Sequence, residues 1–297
     1  MAPDVAELRS EEQERGISRR SFIVRAPLAL AGGLALYSGI VARHEVRVVS
    51  RSLGIHDLPA PFHDFRIVQI SDIHFDEYTE PSFLRSIVRR INALSPDLVL
   101  LTGDFISFGP LPRRFAEYAI RQCTAILSEI KCARRFAAMG NHDSFLGAPE
   151  MRPIFAAAGI PLLVNEHVPI ELGGEHLWLC ATHDPVTHEP DLESTIPERP
   201  DGPVLLMCHG PDYADTLLAH PRGRLVDAMF SGHTHGGQVR LPLFPPMHLP
   251  EGGRKYVEGS FQLGRLQLHV NRGIGTVGLP FRLNCPPEIS VFSLQKA

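Results

Sequence analysis

From about residue 64 onward the chain alternates short apolar runs with amphipathic stretches. Residues 65–71 (FRIVQIS) carry β-branched residues without a helical period, which predicts a buried strand. Pro81–Leu94 sets Ile87, Val88 and Ile91 on one face and opens with a proline suited to a first turn, which predicts a helix. Leu98–Thr102 (LVLLT) reads as the next strand, followed by a longer helix over 113–130, a strand over 135–139 and a short helix over 151–158. The second half is richer in strands: 162–164, 168–172, 177–181, 204–208, 225–230, 266–271 and 289–294. Gly173-Gly174 supplies a hairpin turn between the second and third of these. Strands alternating with helices predict an α/β layered fold, one domain over 46–297.

The first 45 residues break that pattern. Residues 1–16 are polar and of mixed charge, the pattern of a disordered segment. Arg19-Arg20 then precede an uncharged, mildly apolar stretch from 26 to 42, which lacks the amphipathic period of an ordinary core helix. Paired arginines ahead of such a stretch resemble a twin-arginine export signal. That implies the Tat export machinery as a partner and delivery to the periplasm or the outer face of the cytoplasmic membrane. With 17 residues, the stretch is at the short end for crossing a bilayer, so a removed signal and a retained membrane anchor both stay open.

Composition narrows the classes. With 44% hydrophobic and 21% charged residues the chain is of globular type, and a net charge of -4 leaves no broad footprint for nucleic acid. The five cysteines lack CxxC spacing and an even count, which predicts buried small apolar residues.

The informative polar residues fall just past the strands. Asp72 and His74 follow the first, Gly103-Asp104 the second, Asn141-His142-Asp143 the third, His209-Gly210 a later one, and Gly232-His233-Thr234-His235 another. In α/β sheets the carboxyl ends of strands are where ligands sit. Asp72, His74, Asp104, Asn141, His209, His233 and His235 are too many donors for one tetrahedral zinc. They suit two five- or six-coordinate ions sharing a carboxylate, with Asp104 able to bridge. Mixed nitrogen and oxygen ligation favours Mn, Fe or Zn. Two ions about 3.5–4 Å apart activate a bridging water and clamp a phosphoryl group. His142, beside a ligand, is placed to protonate the leaving oxygen, with Asp143 as the group that would fix its tautomer.

Taken in order, D-x-H, G-D, G-N-H-D, H-G and G-H-x-H resemble the calcineurin-like metallophosphoesterases over nearly all of 65–295. The stretches GHTHGGQVRLPLF (232–244), YVEG (256–259) and NRGIGTVGLPFRLNCPPEI (271–289) are similar to the exported bacterial YkuE/YaeI-type branch. The resemblance implies a four-layer αββα sandwich with a binuclear centre. One ion would take Asp72, His74, Asp104 and His235, the other Asp104, Asn141, His209 and His233, with His142 as proton donor. It implies hydrolysis of a phosphodiester or pyrophosphate bond by a metal-bridging hydroxide, with lipid-linked substrates in the range of the family. After Gly103-Asp104 many relatives carry further acidic residues where this chain has Phe105-Ile106-Ser107; Ser107 is not expected to bind metal.

Rival readings are a phosphomonoesterase and a catalytically decayed metal-binding or interaction protein; the intact His142-Asp143 pair argues against decay. A zinc hydrolase of the H-x-H-x-D-H kind is set aside because Gly237 stands where that motif needs Asp. His183-Asp184 is a secondary candidate for the cleft, and His269 reads as a strand histidine. Arg272 is balanced between meeting a phosphate and capping a strand end. The proline-rich stretch 241–253 reads as a surface loop, and for its Leu243, Phe244 and Met247 packing is favoured slightly over contact with a lipid.

Overall fold

The computed structural model describes residues 19–75, 78–107, 112–246 and 248–297. Residues 1–16, expected to be disordered, and Met247 lie outside this range. The chain divides into two units, Met1–Tyr37 and Ser38–Ala297. The described part of the first is a helix, α1 (Arg19–Leu36), whose Leu28, Leu30 and Leu36 are exposed. The apolar helical run extends from Ile23 to His44, long and apolar enough to cross a membrane.

The second unit holds two sheets. In the first, β1 (Arg47–Ile55), β11 (Glu288–Lys296), β2 (Arg66–Ile70), β3 (Leu98–Thr102) and β4 (Arg135–Ala138) lie side by side in that order. In the second the order is β5 (Glu166–Leu172), β6 (Glu175–Ala181), β7 (Val204–Met207), β8 (Ala228–Ser231), β10 (Leu266–Val270) and β9 (Gly259–Leu263). Strand alternation divides the apolar side chains into three packed layers. Val68, Ile70, Val99 and Leu101 face α2 (Pro81–Leu94), α3 (Arg113–Leu127) and α4 (Ala148–Ala157). Their neighbours Ile67, Leu98 and Leu100 turn the other way and meet Leu177, Leu205 and Phe230 between the sheets. Leu206, Met229 and Leu268 cover the far side with α5 (Leu192–Thr195) and α6 (Ala214–Ala219). Helix, sheet, sheet, helix is the expected αββα sandwich.

Two expectations need correcting. Residues 162–164 form no strand; Leu162 makes one isolated parallel bridge to Ala137. Leu225 ends a 3-10 turn, Arg222–Leu225, so the strand there starts only at Ala228. The hairpin at Gly173-Gly174 is as read, both glycines in the left-handed region.

Candidate metal centre

The strand ends singled out above come from both sheets: β2, β3 and β4 from one, β7 and β8 from the other. Parallel pairing of β2 with β3, β3 with β4, and β7 with β8 puts their carboxyl ends on a common side. Six of the seven candidates converge there in two groups, and Asn141 follows the end of β4 with its Oδ1 buried. Asp72, His74 and His235 bring one donor atom each within 4.8 Å of one another, and Asp104, His209 and His233 do the same. Asp104 stands between the groups: its Oδ2 is 3.1 Å from His209 Nε2 and 3.7 Å from His74 Nε2. Asp72 Oδ1 lies 3.4 Å from His235 Nε2.

The backbone holds these residues in conformations that side chains rarely adopt. Asp72, His74, Asp104, His233 and His235 all have positive φ, from 46° to 73°. Each such residue costs about 1–3 kcal/mol and persists only where its surroundings dictate it. Here the surroundings are hydrogen bonds. Ile73 and His74 N–H donate to Asp104 O, and His233 N–H donates to Asp72 Oδ1 at 2.9 Å. Two glycines allow the close approach. A Cβ on Gly140 would lie 2.1 Å from Asp104 Oδ1, and one on Gly232 would lie 2.3 Å from Asp72 Oδ2.

Hydrogen bonds also orient the imidazoles. His209 Nδ1 donates to Thr102 O at 2.7 Å, His233 Nε2 donates to Glu251 O at 2.6 Å, and His74 Nδ1 meets Ser107 Oγ at 2.9 Å. In His74 and His233, both held neutral, the second ring nitrogen is left to act as a lone-pair donor, the arrangement in which metal-ligating histidines are held. Sequence reasoning missed Ser107 and Glu251, the first because it sought only ligands and the second because its main-chain oxygen does the work.

Burial decides protonation. It pushes His74 down to about 3 and His233 down to about 4, and holds His235 well below the ordinary imidazole range, so all three are neutral near pH 7. Burial also raises Asp72 to about 6, with the Asp104 charge adding to it against the pull of His209. For His209 burial acts downward, but the Asp104 and Asp72 carboxylates outweigh it and hold the imidazole above its usual range.

The donor set fits a pair of cations. Asn141 Oδ1 and His209 Nε2 are buried without a hydrogen-bond partner, although His209 Nε2 is close to Asp104. Orphaned buried polar atoms are costly and need an explanation. His74 Nε2 and His235 Nε2 face each other at 3.0 Å. A positive ion beside each group would satisfy all of them.

His142 starts the 3-10 turn His142–Phe145 directly after Asn141; its ring is partly exposed and lies edge-on to His74 at 5.0 Å. Its N–H donates to Asp104 Oδ1 at 3.0 Å. Asp143 turns elsewhere. Its Oδ2 accepts from Asp104 N and Gly140 N, and its Oδ1 from Phe105 N and Ile106 N. This carboxylate ties the β3 and β4 ends together, which corrects the expectation that it orients the His142 ring.

The secondary candidates divide. His183 and His188 stack at 3.7 Å, and the Asp184 side chain caps the backbone of Val186 and Thr187. His269 is packed against Glu288 and Ser290. Arg272 Nε donates to Glu288 at 2.6 Å, so it joins strand ends. Leu243 and Phe244 are exposed, Leu243 fully and with a φ of 68°, which reverses the packing expected for them.

Comparison with known proteins adds four findings. The family model described as Calcineurin-like phosphoesterase matches residues 65–237. The chain is 30% identical to the metallophosphoesterase YkuE of Bacillus subtilis (strain 168), over 94% of this chain and 98% of the relative. It is 31% identical to phosphodiesterase YaeI of Escherichia coli (strain K12), over 94% and 99% of the two chains. It is 27% identical to UDP-2,3-diacylglucosamine pyrophosphatase LpxG of Chlamydia trachomatis, over 78% and 85%.

Proposed function

The chain belongs to the calcineurin-like phosphoesterase family and is a phosphoric ester hydrolase, and on that premise we propose that it cleaves phosphodiester or pyrophosphate bonds with two divalent ions. Asp72, His74 and His235 would hold one ion, and Asn141, His209 and His233 the other, with Asp104 shared. Bound there, Mn, Fe or Zn would supply an activated water and neutralise charge on the phosphoryl group. The observation that carries this reading is Asp104 Oδ2 within 3.1 Å of His209 Nε2 and 3.7 Å of His74 Nε2, together with the buried Asn141 Oδ1 that has no hydrogen-bond partner.

The remaining steps fall to the chain's own groups. Gly140 and Asp143 hold Asp104 in place: one leaves room for the carboxylate and the other accepts its N–H. His142, partly exposed and next to Asn141, is the group that hands a proton to the leaving oxygen. Its main-chain N–H donates to Asp104 Oδ1, which anchors the start of its turn at the carboxylate the two ions would share.

Two features support a lipid-linked substrate at a membrane surface. The apolar run Ile23–His44 is long enough to anchor the chain after export by the twin-arginine route, to the periplasm or the outer face of the cytoplasmic membrane. Exposed Leu241, Leu243 and Phe244 lie in the loop that follows His235, apolar side chains of the kind a lipid tail would cover. The relative LpxG is named for a diacylated sugar nucleotide, which agrees with this choice. The test is hydrolysis by manganese-loaded protein of an aryl phosphodiester, an aryl phosphomonoester and a lipid-linked pyrophosphate. Faster cleavage of the diester or pyrophosphate than of the monoester is expected. The reverse order would make it a phosphomonoesterase, and no cleavage of any of them would make it a metal-binding protein without catalysis.

A further inference from the structure

Arg282 is the largest side chain with no solvent exposure in the described part of the chain. A buried guanidinium is costly unless its donors are met, and the usual partner is a carboxylate. Arg282 forms no ion pair among the described residues, although Glu288 and Asp72 are nearby and paired elsewhere. Its fork goes to three main-chain carbonyls instead. Nε donates to Gly275 O at 3.0 Å, Nη2 to Arg272 O at 2.9 Å and to Gly275 O, and Nη1 to Cys285 O at 3.1 Å.

The loop so gathered, 272–275, lies directly on Asp72. Ile274 N–H donates to Ser71 O at 2.9 Å and Gly275 N–H to Asp72 O at 2.7 Å. A Cβ on Gly273 would come within 2.7 Å of Asp72 Cβ, so nothing separates loop and ligand. On its other side Arg282 Nη2 stands 3.5 Å from His235 Nδ1. The arginine's own backbone is fixed as well: its N–H donates to Ser38 O and its carbonyl accepts from Ser38 Oγ at 2.8 Å. One side chain thus backs Asp72 through a loop and His235 directly. Both belong to one of the two ligand groups, and neither belongs to the other.

We propose that Arg282 is a positioning residue for the ion of the Asp72, His74 and His235 group. It works as a planar clamp that holds loop 272–275 against Asp72 and limits movement of the His235 ring. This rests on the binuclear reading above. A clamp and a mere charge have opposite consequences. The positive charge by itself repels a cation, so deleting it would tighten binding; losing the clamp loosens binding. Lysine separates the two further, because it keeps the charge but cannot present the fork to three carbonyls.

The experiment is titration of the full-length protein with Mn²⁺, following free Mn²⁺ by electron paramagnetic resonance, with circular dichroism to verify folding. The wild type, Arg282→Lys and Arg282→Met are compared. Two ions bind the wild type; in both variants one site keeps its affinity and the other weakens about 10–100-fold, the usual cost of losing a partner behind a metal ligand. If the methionine variant does not fold, the lysine variant carries the test alone. Wild-type affinity at both sites, tighter binding in Arg282→Met, or equal weakening of both sites in a folded variant would each overturn the clamp. A wild-type protein that binds no Mn²⁺ overturns the binuclear reading and the clamp with it, whereas two unaltered sites in the variants overturn the clamp alone.

Discussion

Gly140→Ala is the smallest change that should break the centre. The added methyl would sit 2.1 Å from Asp104 Oδ1, 2.6 Å from Asp104 N and 2.7 Å from Asp104 Cγ. Ordinary Cβ contacts begin at 3.4 Å, so the carboxylate must retreat by 3.4 − 2.1, or 1.3 Å. It cannot swing aside freely, because Asp104 N–H is held by Asp143 and Oδ1 by His142 N–H. Overpacking of this kind costs about 1–3 kcal/mol, which a chain of this size survives. A displacement near 1 Å at a reacting centre, by contrast, lowers turnover by about 100-fold. The expectation is a folded variant with at least that loss of aryl phosphodiester hydrolysis and with fewer than two ions per chain. Gly54→Ala is the control, since its Cβ would meet only Ala297 at 3.5 Å. The assay is steady-state hydrolysis with metal analysis of the same sample. Wild-type turnover and two ions in Gly140→Ala would refute the placement of Asp104 at the heart of the reaction.

Three further outcomes are expected. His142→Ala should lower turnover by about 10²–10⁴-fold while both ions stay bound, as metal analysis beside kinetics would tell; undiminished turnover would remove its acid role. Glu288→Gln should destabilise the fold in a pH-dependent way: burial acts to raise this carboxyl, but His269 and Arg272 hold it down at about 2. A depressed carboxyl stabilises the folded chain fully above the ordinary value of 4.5, and that contribution fades as pH falls through 2. Unfolding free energies of wild type and variant from urea curves should differ by about 3 kcal/mol at pH 7 and converge in acid, and a pH-independent gap would contradict the shift. Replacing Arg19-Arg20 by Lys-Lys should leave the protein in the cytoplasm on fractionation; unchanged export would exclude the twin-arginine route.

What could be read from the chain alone follows physical lines. The buried strands were legible because both faces of β2, β3, β7 and β8 are covered, which leaves runs that are almost wholly apolar, with Gln69 the polar residue inside β2. β1 was not, because Arg47–Ile55 pairs only with β11, mostly faces solvent and carries arginine and serine in place of an apolar stripe. The ligands were legible as residue types past strand ends. Their left-handed backbone was not, since nothing in an Asp or His announces positive φ. Asp143 was misjudged because adjacency to His142 suggested a side-chain partner, while the 3-10 turn points its carboxylate back at the β3 end. The role of Arg282 behind His235 and of Ser107 behind His74 was not legible for a shared reason: each touches a ligand across the fold, 47 and 33 residues away in sequence.

The account stands or falls on two cations sharing Asp104, and anomalous diffraction from a manganese-soaked crystal addresses that directly. Two peaks about 3.5–4 Å apart, one on either side of Asp104 Oδ2, are the predicted result. A single peak, or two that do not both contact Asp104, would contradict it.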